Sequence, residues 1–112
     1  MMKLETRLAA MHRLGRAMSD PTRCRILLRL VDGPAYPAAL ADELELTRPN
    51  VSNHLTCLRG CGLVVVTPEG RQMRYELADG ALARGLRELL EVTLAVDDCP
   101  VCDGACSHEV AP

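Results

Sequence analysis

The chain has 112 residues, with no tryptophan or phenylalanine, two tyrosines and a formal net charge of −2. This length corresponds to one domain with an aliphatic core, and the slightly acidic balance excludes a uniformly basic nucleic-acid binder. No segment has the composition of a targeting sequence or of a membrane span, so we expect a cytoplasmic protein without a membrane partner. In such a reducing compartment, six cysteines indicate metal or redox chemistry rather than a disulfide scaffold.

Two segments with helical periodicity open the chain. Residues 3–18 carry leucine and methionine at spacings of three and four, which predicts an amphipathic helix. A second helix begins after Ser19 or Asp20, either of which is a good N-cap, with Pro21 in its first turn. We interpret the lone Cys24 inside this helix as a small buried hydrophobe, with a ligand role as the alternative.

Two short helices joined by a tight turn follow, the pattern of a helix-turn-helix. The segment YPAALADELEL predicts the first, and Thr47 caps the second. In the second helix Val51, Leu55 and Leu58 form one apolar stripe for burial. The remaining side chains are mostly short, uncharged hydrogen-bonding groups, as on a helix that enters the DNA major groove. The residues of this recognition helix that we predict to contact DNA are Arg48, Asn50, Ser52, Asn53, His54 and Thr56.

A hairpin is predicted next, because the runs LVVVT and RQMRYEL both favour β-strands. Pro68, Glu69 and Gly70 are expected to form the turn between them. A hairpin directly after a recognition helix serves as a wing. Arg71 and Arg74, at or near its tip, are therefore candidates for contacts with phosphate or the minor groove, with solvated surface charges as the alternative.

Residues 79–96 return to helical spacing with a broad leucine stripe. Together with the first helix, this stripe offers more apolar surface than one small domain covers, so we predict a homodimer in which the two terminal helices pack across a two-fold axis. The predicted fold is mainly α with a small β-hairpin wing, a winged helix-turn-helix dimeric through its N- and C-terminal helices. This domain is expected over residues 1–96, followed by a cysteine-rich metal-binding tail over residues 97–112.

Five of the six cysteines lie in two clusters. Cys57 and Cys61 are four residues apart, which stacks both sulfurs on one face of the recognition helix, beside the expected base-reading surface. Two thiolates so placed can bind one soft metal ion. The tail contains Cys99, Cys102 and Cys106. Its CxxC motif predicts a metal-binding pair or a redox dithiol, with incidental thiols in a disordered end as the third interpretation.

The segments SDPTRCRIL, NVSNHLTCLRGCGLV and EGRQMRYEL together resemble the ArsR/SmtB family of metal-responsive winged-helix repressors. Within it, cysteines at the end of the recognition helix are similar to those of the CmtR-like cadmium and lead sensors. The resemblance implies a site of three thiolates, two of them from Cys57 and Cys61. It assigns the third to the tail and implies that this is the tail of the other subunit, where Cys102 ranks first, Cys99 second and Cys106 third.

The expected function is therefore that of a metal-responsive transcriptional repressor, which binds double-stranded operator DNA as a homodimer and is released by Cd(II) or Pb(II). Zn(II) and As(III) stay open as effectors. A thiol-redox-responsive repressor of the same fold and, less favoured, a metal-buffering protein are the alternatives. The sequence contains no paired carboxylates, nucleophile with a base or phosphate-cradling glycine loop, so we do not expect an enzyme.

Overall fold

The structure is a computed structural model that describes residues 3–92. Within these residues, two strands form one antiparallel hairpin, as predicted. No helix in the described part of the chain is long and apolar enough to cross a membrane. The elements in chain order are α1 (Leu4–Ala17), α2 (Pro21–Val31), α3 (Pro37–Leu44), α4 (Arg48–Gly60), β1 (Val64–Glu69), β2 (Gln72–Leu77) and α5 (Gly80–Leu90).

Side-chain caps fix where α2 and α4 begin. The Asp20 carboxylate accepts a hydrogen bond from the Arg23 amide at 2.9 Å, so Asp20 is the N-cap of α2. The Thr47 hydroxyl accepts from the Asn50 amide at 3.2 Å, which confirms the predicted start of α4. Each cap satisfies a backbone donor that has no carbonyl partner in the first turn of a helix.

One aliphatic core holds the first four helices and the hairpin together. Val51, Leu55 and Leu58 of α4 are each 0% exposed, which confirms the predicted apolar stripe. They belong to the same buried cluster as Ile26 of α2 and Leu40 of α3. Because this stripe is buried, the opposite side of α4 faces outward.

The turn between α3 and α4 contains a residue that sequence reasoning did not single out. Glu45 adopts the left-handed conformation, with φ 57° and ψ 50°. The Leu46 amide then donates to the Ala41 carbonyl at 2.8 Å, which satisfies an acceptor at the end of α3. Side chains disfavour this backbone conformation, so the tight turn is maintained against a local strain.

The hairpin turn begins two residues further along the chain than predicted. Pro68 pairs with Met73 and Glu69 with Gln72, so Pro68 and Glu69 belong to β1 and the loop is Gly70 and Arg71. The first residue of such a two-residue loop needs a positive φ, and Gly70 supplies it at 62°. Pro68 is tolerated because strands in a two-stranded sheet have an open edge.

The two terminal helices contribute little to this core. Ala17 is the one buried residue of α1 and Leu86 the one buried residue of α5. The last helix ends at Leu90 rather than at residue 96, because the amides of the next two residues donate to carbonyls three residues back, a tightening that ends a helix. Apolar side chains left more than half exposed on or just after these two helices are Leu4, Leu8, Met11, Leu89, Leu90 and Val92.

Replacing Asp20 by alanine is expected to lower the midpoint of thermal unfolding by about 5 °C near neutral pH, because α2 loses its cap. The Arg23 amide, aided by the nearby His54, holds the pKa of Asp20 below its ordinary value. A lowered pKa in the folded state means that the carboxylate stabilises the fold above the pKa of the unfolded chain. This contribution is lost as the pH falls through the lowered pKa.

Thermal unfolding followed by circular dichroism at several pH values tests this expectation. The difference between wild type and Asp20→Ala should shrink below about pH 4, near the ordinary pKa of an aspartate. Asp20→Asn is the matched control, since asparagine also caps helices well. A difference between wild type and Asp20→Ala that stays constant down to pH 2 would contradict the role assigned to the carboxylate.

Candidate functional site

The outward side of α4 presents most of the residues predicted to contact DNA. Arg48, Ser52, Asn53 and Thr56 are exposed, while Asn50 is half-buried. These amide and hydroxyl groups can donate to or accept from base edges in a major groove. The structure thus brings four of the six predicted side chains of this helix to the solvent.

His54 is directed differently from the other predicted DNA contacts. Its Nε2 lies 3.9 Å from the Asp20 carboxylate, and its side chain is 21% exposed. The histidine therefore connects α4 with the start of α2 when it is protonated. This position fits a structural role for His54 between the two helices.

The wing places its two predicted arginines in different surroundings. Arg71 is exposed in the turn. Arg74 lies on β2, where its guanidinium is 3.4 Å from the Glu69 carboxylate and 3.6 Å from that of Glu76. Arg71 and Arg48 line one cleft of about 210 Å³ between the start of α4 and the wing. The fold thus brings together two cations that the sequence places 23 residues apart.

The thiol pair occupies the end of α4. Cys57 is exposed, whereas Cys61 is half-buried and is the C-cap of the helix. The Cys61 amide donates to the Cys57 carbonyl at 3.0 Å, so one helical turn separates the residues, as predicted. Two thiols on neighbouring turns fit the donor set of a soft metal ion.

Cys61 lies on a different side of the molecule than expected. It lines a cleft of about 290 Å³ together with Leu14 of α1 and Leu82 of α5. Arg13 and Asp79, both charged, line the same cleft. The sequence predicted that both thiols adjoin the base-reading surface, but Cys61 adjoins the helices that carry the exposed apolar side chains.

The described residues do not complete a metal site. Among residues 3–92, no group of three or more histidine, cysteine, aspartate or glutamate side chains is arranged to hold an ion. Cys99, Cys102 and Cys106 lie outside the described residues, so their predicted roles stay predictions. A site of three ligands built on Cys57 and Cys61 therefore needs a group from outside residues 3–92 or from another molecule.

Cys24 is not part of the core, contrary to the prediction. It is half-buried and lines an apolar groove of about 180 Å³ between α2 and α5. Its thiol donates to the Met18 carbonyl at 3.1 Å. The groove exists because only part of the leucine stripe of α5 packs on α2. Besides Cys24, the residues that line the groove are Met18, Leu27, Leu28, Leu86, Leu89 and Leu90.

The sequence did not indicate a contact near the wing between the side chains of Tyr36 and Glu69. The Tyr36 hydroxyl donates to the Glu69 carboxylate at 2.6 Å, across 33 positions of the chain. An antiparallel bridge between Ala35 and Tyr75 brings the segment before α3 alongside β2. No local pattern indicates this contact, because it depends on how the segment before α3 meets the hairpin.

Comparisons with known proteins extend over most of the chain. Residues 20–66 match the family model described as a bacterial regulatory protein of the arsR family. The HTH-type transcriptional regulator CmtR of Mycobacterium tuberculosis is 64% identical over 102 residues, which are 91% of this chain and 86% of the relative. A probable mercury resistance operon repressor of Streptomyces lividans is 33% identical over 91 residues, which are 81% of this chain and 71% of that repressor.

Solved structures are similar in fold as well. The NMR structure of the cadmium metal sensor from Mycobacterium tuberculosis matches with a TM-score of 0.64 and 69% identity, covering 78% of this chain and 91% of that one. A homodimeric winged helix-turn-helix DNA-binding domain from Mycobacterium bovis matches with a TM-score of 0.69 and 27% identity, covering 78% of this chain and 82% of that one. The predicted winged helix-turn-helix fold is confirmed.

Proposed function

The chain belongs to the arsR family of bacterial regulatory proteins, and we propose that it is a repressor that binds operator DNA as a homodimer and leaves it on binding a soft metal ion. The curated relatives are transcriptional regulators, not enzymes. One observation carries the proposal. Cys57 and Cys61 lie at the end of the DNA-reading helix, and Cys61 adjoins α1 and α5, which offer apolar surface to a second copy.

DNA binding is assigned to α4 and the wing. The exposed hydroxyl and amide groups of Ser52, Asn53 and Thr56 suit base edges, while Arg48 and Arg71 suit phosphates. In a symmetric dimer, two copies of α4 about 34 Å apart would enter successive major grooves of a palindromic operator. The mild overall acidity does not oppose this arrangement, because the local distribution of charge guides association.

The homodimer is supported by the exposed apolar side chains of the terminal helices. Leu89 and Leu90 are 61% and 60% exposed, beside the groove that contains Leu28. A second copy of this chain is the occupant that suits a self-complementary apolar face. The domain of similar fold from Mycobacterium bovis is described as homodimeric.

Cysteine thiolates are the proposed metal ligands. Cys57 and Cys61 would supply two, and the tail would supply a third, with Cys102 ranked before Cys99 and Cys106. Three sulfurs favour soft ions, and affinity is expected to rise with pH because each thiol must lose its proton. Cd(II) is the proposed effector, since the similar protein from Mycobacterium tuberculosis is described as a cadmium sensor. Pb(II), Zn(II) and As(III) are the alternatives to be compared with it.

Metal and DNA are proposed to oppose each other through the position of α4. A ligand that ties Cys61 to the tail restrains the end of α4 against α1 and α5. The metal then either shifts the two recognition helices or makes the dimer more rigid. In both cases the separation of the two helices no longer matches the operator. By linkage, the metal must bind the DNA complex more weakly than the free dimer, with a coupling of about 1–3 kcal/mol per effector.

An absorption titration with Cd(II) tests the proposed ligand set. A thiolate-to-metal band is expected for wild type, and Cys102→Ser is expected to reduce it more than Cys99→Ser or Cys106→Ser. If all three tail variants bind Cd(II) as wild type does, the tail holds no ligand.

A gel shift with DNA from upstream of the gene separates a repressor from other functions. A specific complex that dissociates with Cd(II) is expected. The absence of any complex would favour a metal-buffering protein. Release by peroxide and not by Cd(II) would favour a thiol-redox regulator of the same fold.

A further inference from the structure

The Glu69 carboxylate on the wing is held by two donors from different parts of the chain. The Tyr36 hydroxyl donates to one carboxylate oxygen at 2.6 Å, and the Arg74 guanidinium is 3.4 Å from the other. These donors come from the segment before α3 and from β2. A hydroxyl and a guanidinium therefore converge on one anion at the surface of the protein.

The backbone explains why these groups meet. Arg74 pairs with Thr67 across the hairpin, and Glu69 is two residues beyond Thr67 on the same face of β1. The antiparallel bridge between Ala35 and Tyr75 places the next residue, Tyr36, beside Arg74 on the other edge of β2. The side chains of Tyr36, Arg74 and Glu69 thus share one face of a three-segment sheet.

This face has the charge pattern of an anion site filled by the protein itself. Arg74 is flanked by two carboxylates, Glu69 and Glu76, and the three side chains are between 35% and 40% exposed. The Glu69 carboxylate, as the hydrogen-bond partner of Tyr36, raises the pKa of that tyrosine, so its hydroxyl stays a donor. Ion pairs this exposed are individually weak and exchange readily for another anion.

The site adjoins the cleft that separates α4 from the wing. Tyr36 lines this cleft together with Arg48 and Arg71, the two cations assigned above to phosphates. A DNA strand that contacts both arginines would pass close to Tyr36, which lines the same cleft. Phosphate oxygens accept hydrogen bonds from tyrosine and arginine as a carboxylate does.

We propose that Tyr36 and Arg74 bind one backbone phosphate of the operator in the place that the Glu69 carboxylate occupies in the free protein. This inference rests on the proposed DNA-binding function and adds Tyr36 to the DNA-contacting residues. Glu69 then acts as an internal competitor that lowers affinity for every DNA sequence to a similar extent. Such a contact positions the wing and carries no base specificity.

Fluorescence anisotropy with operator and with random-sequence DNA tests the inference. Glu69→Gln preserves an acceptor for Tyr36 but removes the competing charge, so affinity for both DNAs should rise by about twofold to fivefold per protomer, the size of an exposed ion pair. Tyr36→Phe and Arg74→Ala should each weaken binding to both DNAs. Arg74→Ala should also reduce the slope of log affinity against log salt by about 1 per protomer.

The double variant Glu69→Gln/Arg74→Ala distinguishes competition from a general effect of charge. The gain of this double variant over Arg74→Ala should be smaller than the gain of Glu69→Gln over wild type, because the ion pair through which Glu69 competes is absent. A general effect of charge would give the same gain in both backgrounds. Glu43→Gln is a matched control, because it breaks the 2.7 Å ion pair with Arg29 between α2 and α3 and should not raise affinity.

Three results would overturn the inference: weaker binding by Glu69→Gln, no effect of Tyr36→Phe, or a gain from Glu69→Gln that is equally large without Arg74. If wild type binds neither DNA, the proposed function itself fails.

Discussion

Cys61→Ser is expected to abolish the release of operator DNA by Cd(II) while leaving metal-free DNA affinity within about twofold of wild type. Serine is close to cysteine in size, so the half-buried position between α1 and α5 is preserved. Its hydroxyl is a poor ligand for a soft ion, so the proposed metal site would lose one of its thiolates. Cys57→Ser, at an exposed position, should have the same effect with even less change in stability.

The expected loss of response is large. A coupling of about 1–3 kcal/mol corresponds to a change of about fivefold to 150-fold in DNA affinity. Cys57→Ser and Cys61→Ser should show no such change in affinity at Cd(II) concentrations that release the wild-type protein. Cys24→Ala is the control, since it removes a thiol from the separate groove between α2 and α5 and should retain the response. Loss of DNA binding by metal-free Cys61→Ser would contradict the assignment of separate residues to metal and DNA.

Leu89→Glu is expected to dissociate the dimer and to lower operator affinity by about 100-fold or more. Leu89 is 61% exposed in the single chain and borders the groove between α2 and α5. A carboxylate there would have to be buried without a partner when two copies associate. The monomer would contact one half-site at a time and lose the gain from simultaneous binding of two recognition helices.

Sedimentation velocity measures the dissociation of the dimer, and fluorescence anisotropy measures the operator affinity of the same preparation. Arg84→Glu is the matched control, because it adds the same side chain to an exposed position of α5 that does not line the groove. Circular dichroism should show similar helix content for both variants. A dimeric Leu89→Glu protein with wild-type operator affinity would show that the two-fold axis does not involve this end of α5.

Signals that act over a few residues predicted the fold well. Thr47 indicated the start of α4, and the spacing of Val51, Leu55 and Leu58 indicated its buried side, because capping and periodicity depend on neighbouring residues. The hairpin was also predicted, but its turn begins two residues later in the structure than the sequence indicated. Pro68 is a common turn residue but lies in β1 here, because the positive φ of Gly70 determines the loop.

Features that depend on distant parts of the chain were not predictable from pattern. The direction of Cys61 follows from where α1 and α5 pack, and an ideal helix contains no information about that packing. The tight turn before α4 was expected, but Glu45 is left-handed without being glycine, so the sequence did not indicate which residue adopts this conformation. The contact of Tyr36 with Glu69 likewise requires the tertiary fold. The thiol pair was predictable because its spacing lies within one helix.

The most direct test of metal-dependent release is the anisotropy of labelled operator DNA titrated with protein, without metal and with saturating Cd(II), Pb(II), Zn(II) or As(III). Metal-free protein should bind the operator tightly, and Cd(II) should weaken that binding by at least about fivefold, the lower end of typical couplings. Unchanged operator affinity at saturating Cd(II), in a protein whose thiolate-to-metal band shows that the ion is bound, would contradict the proposed mechanism.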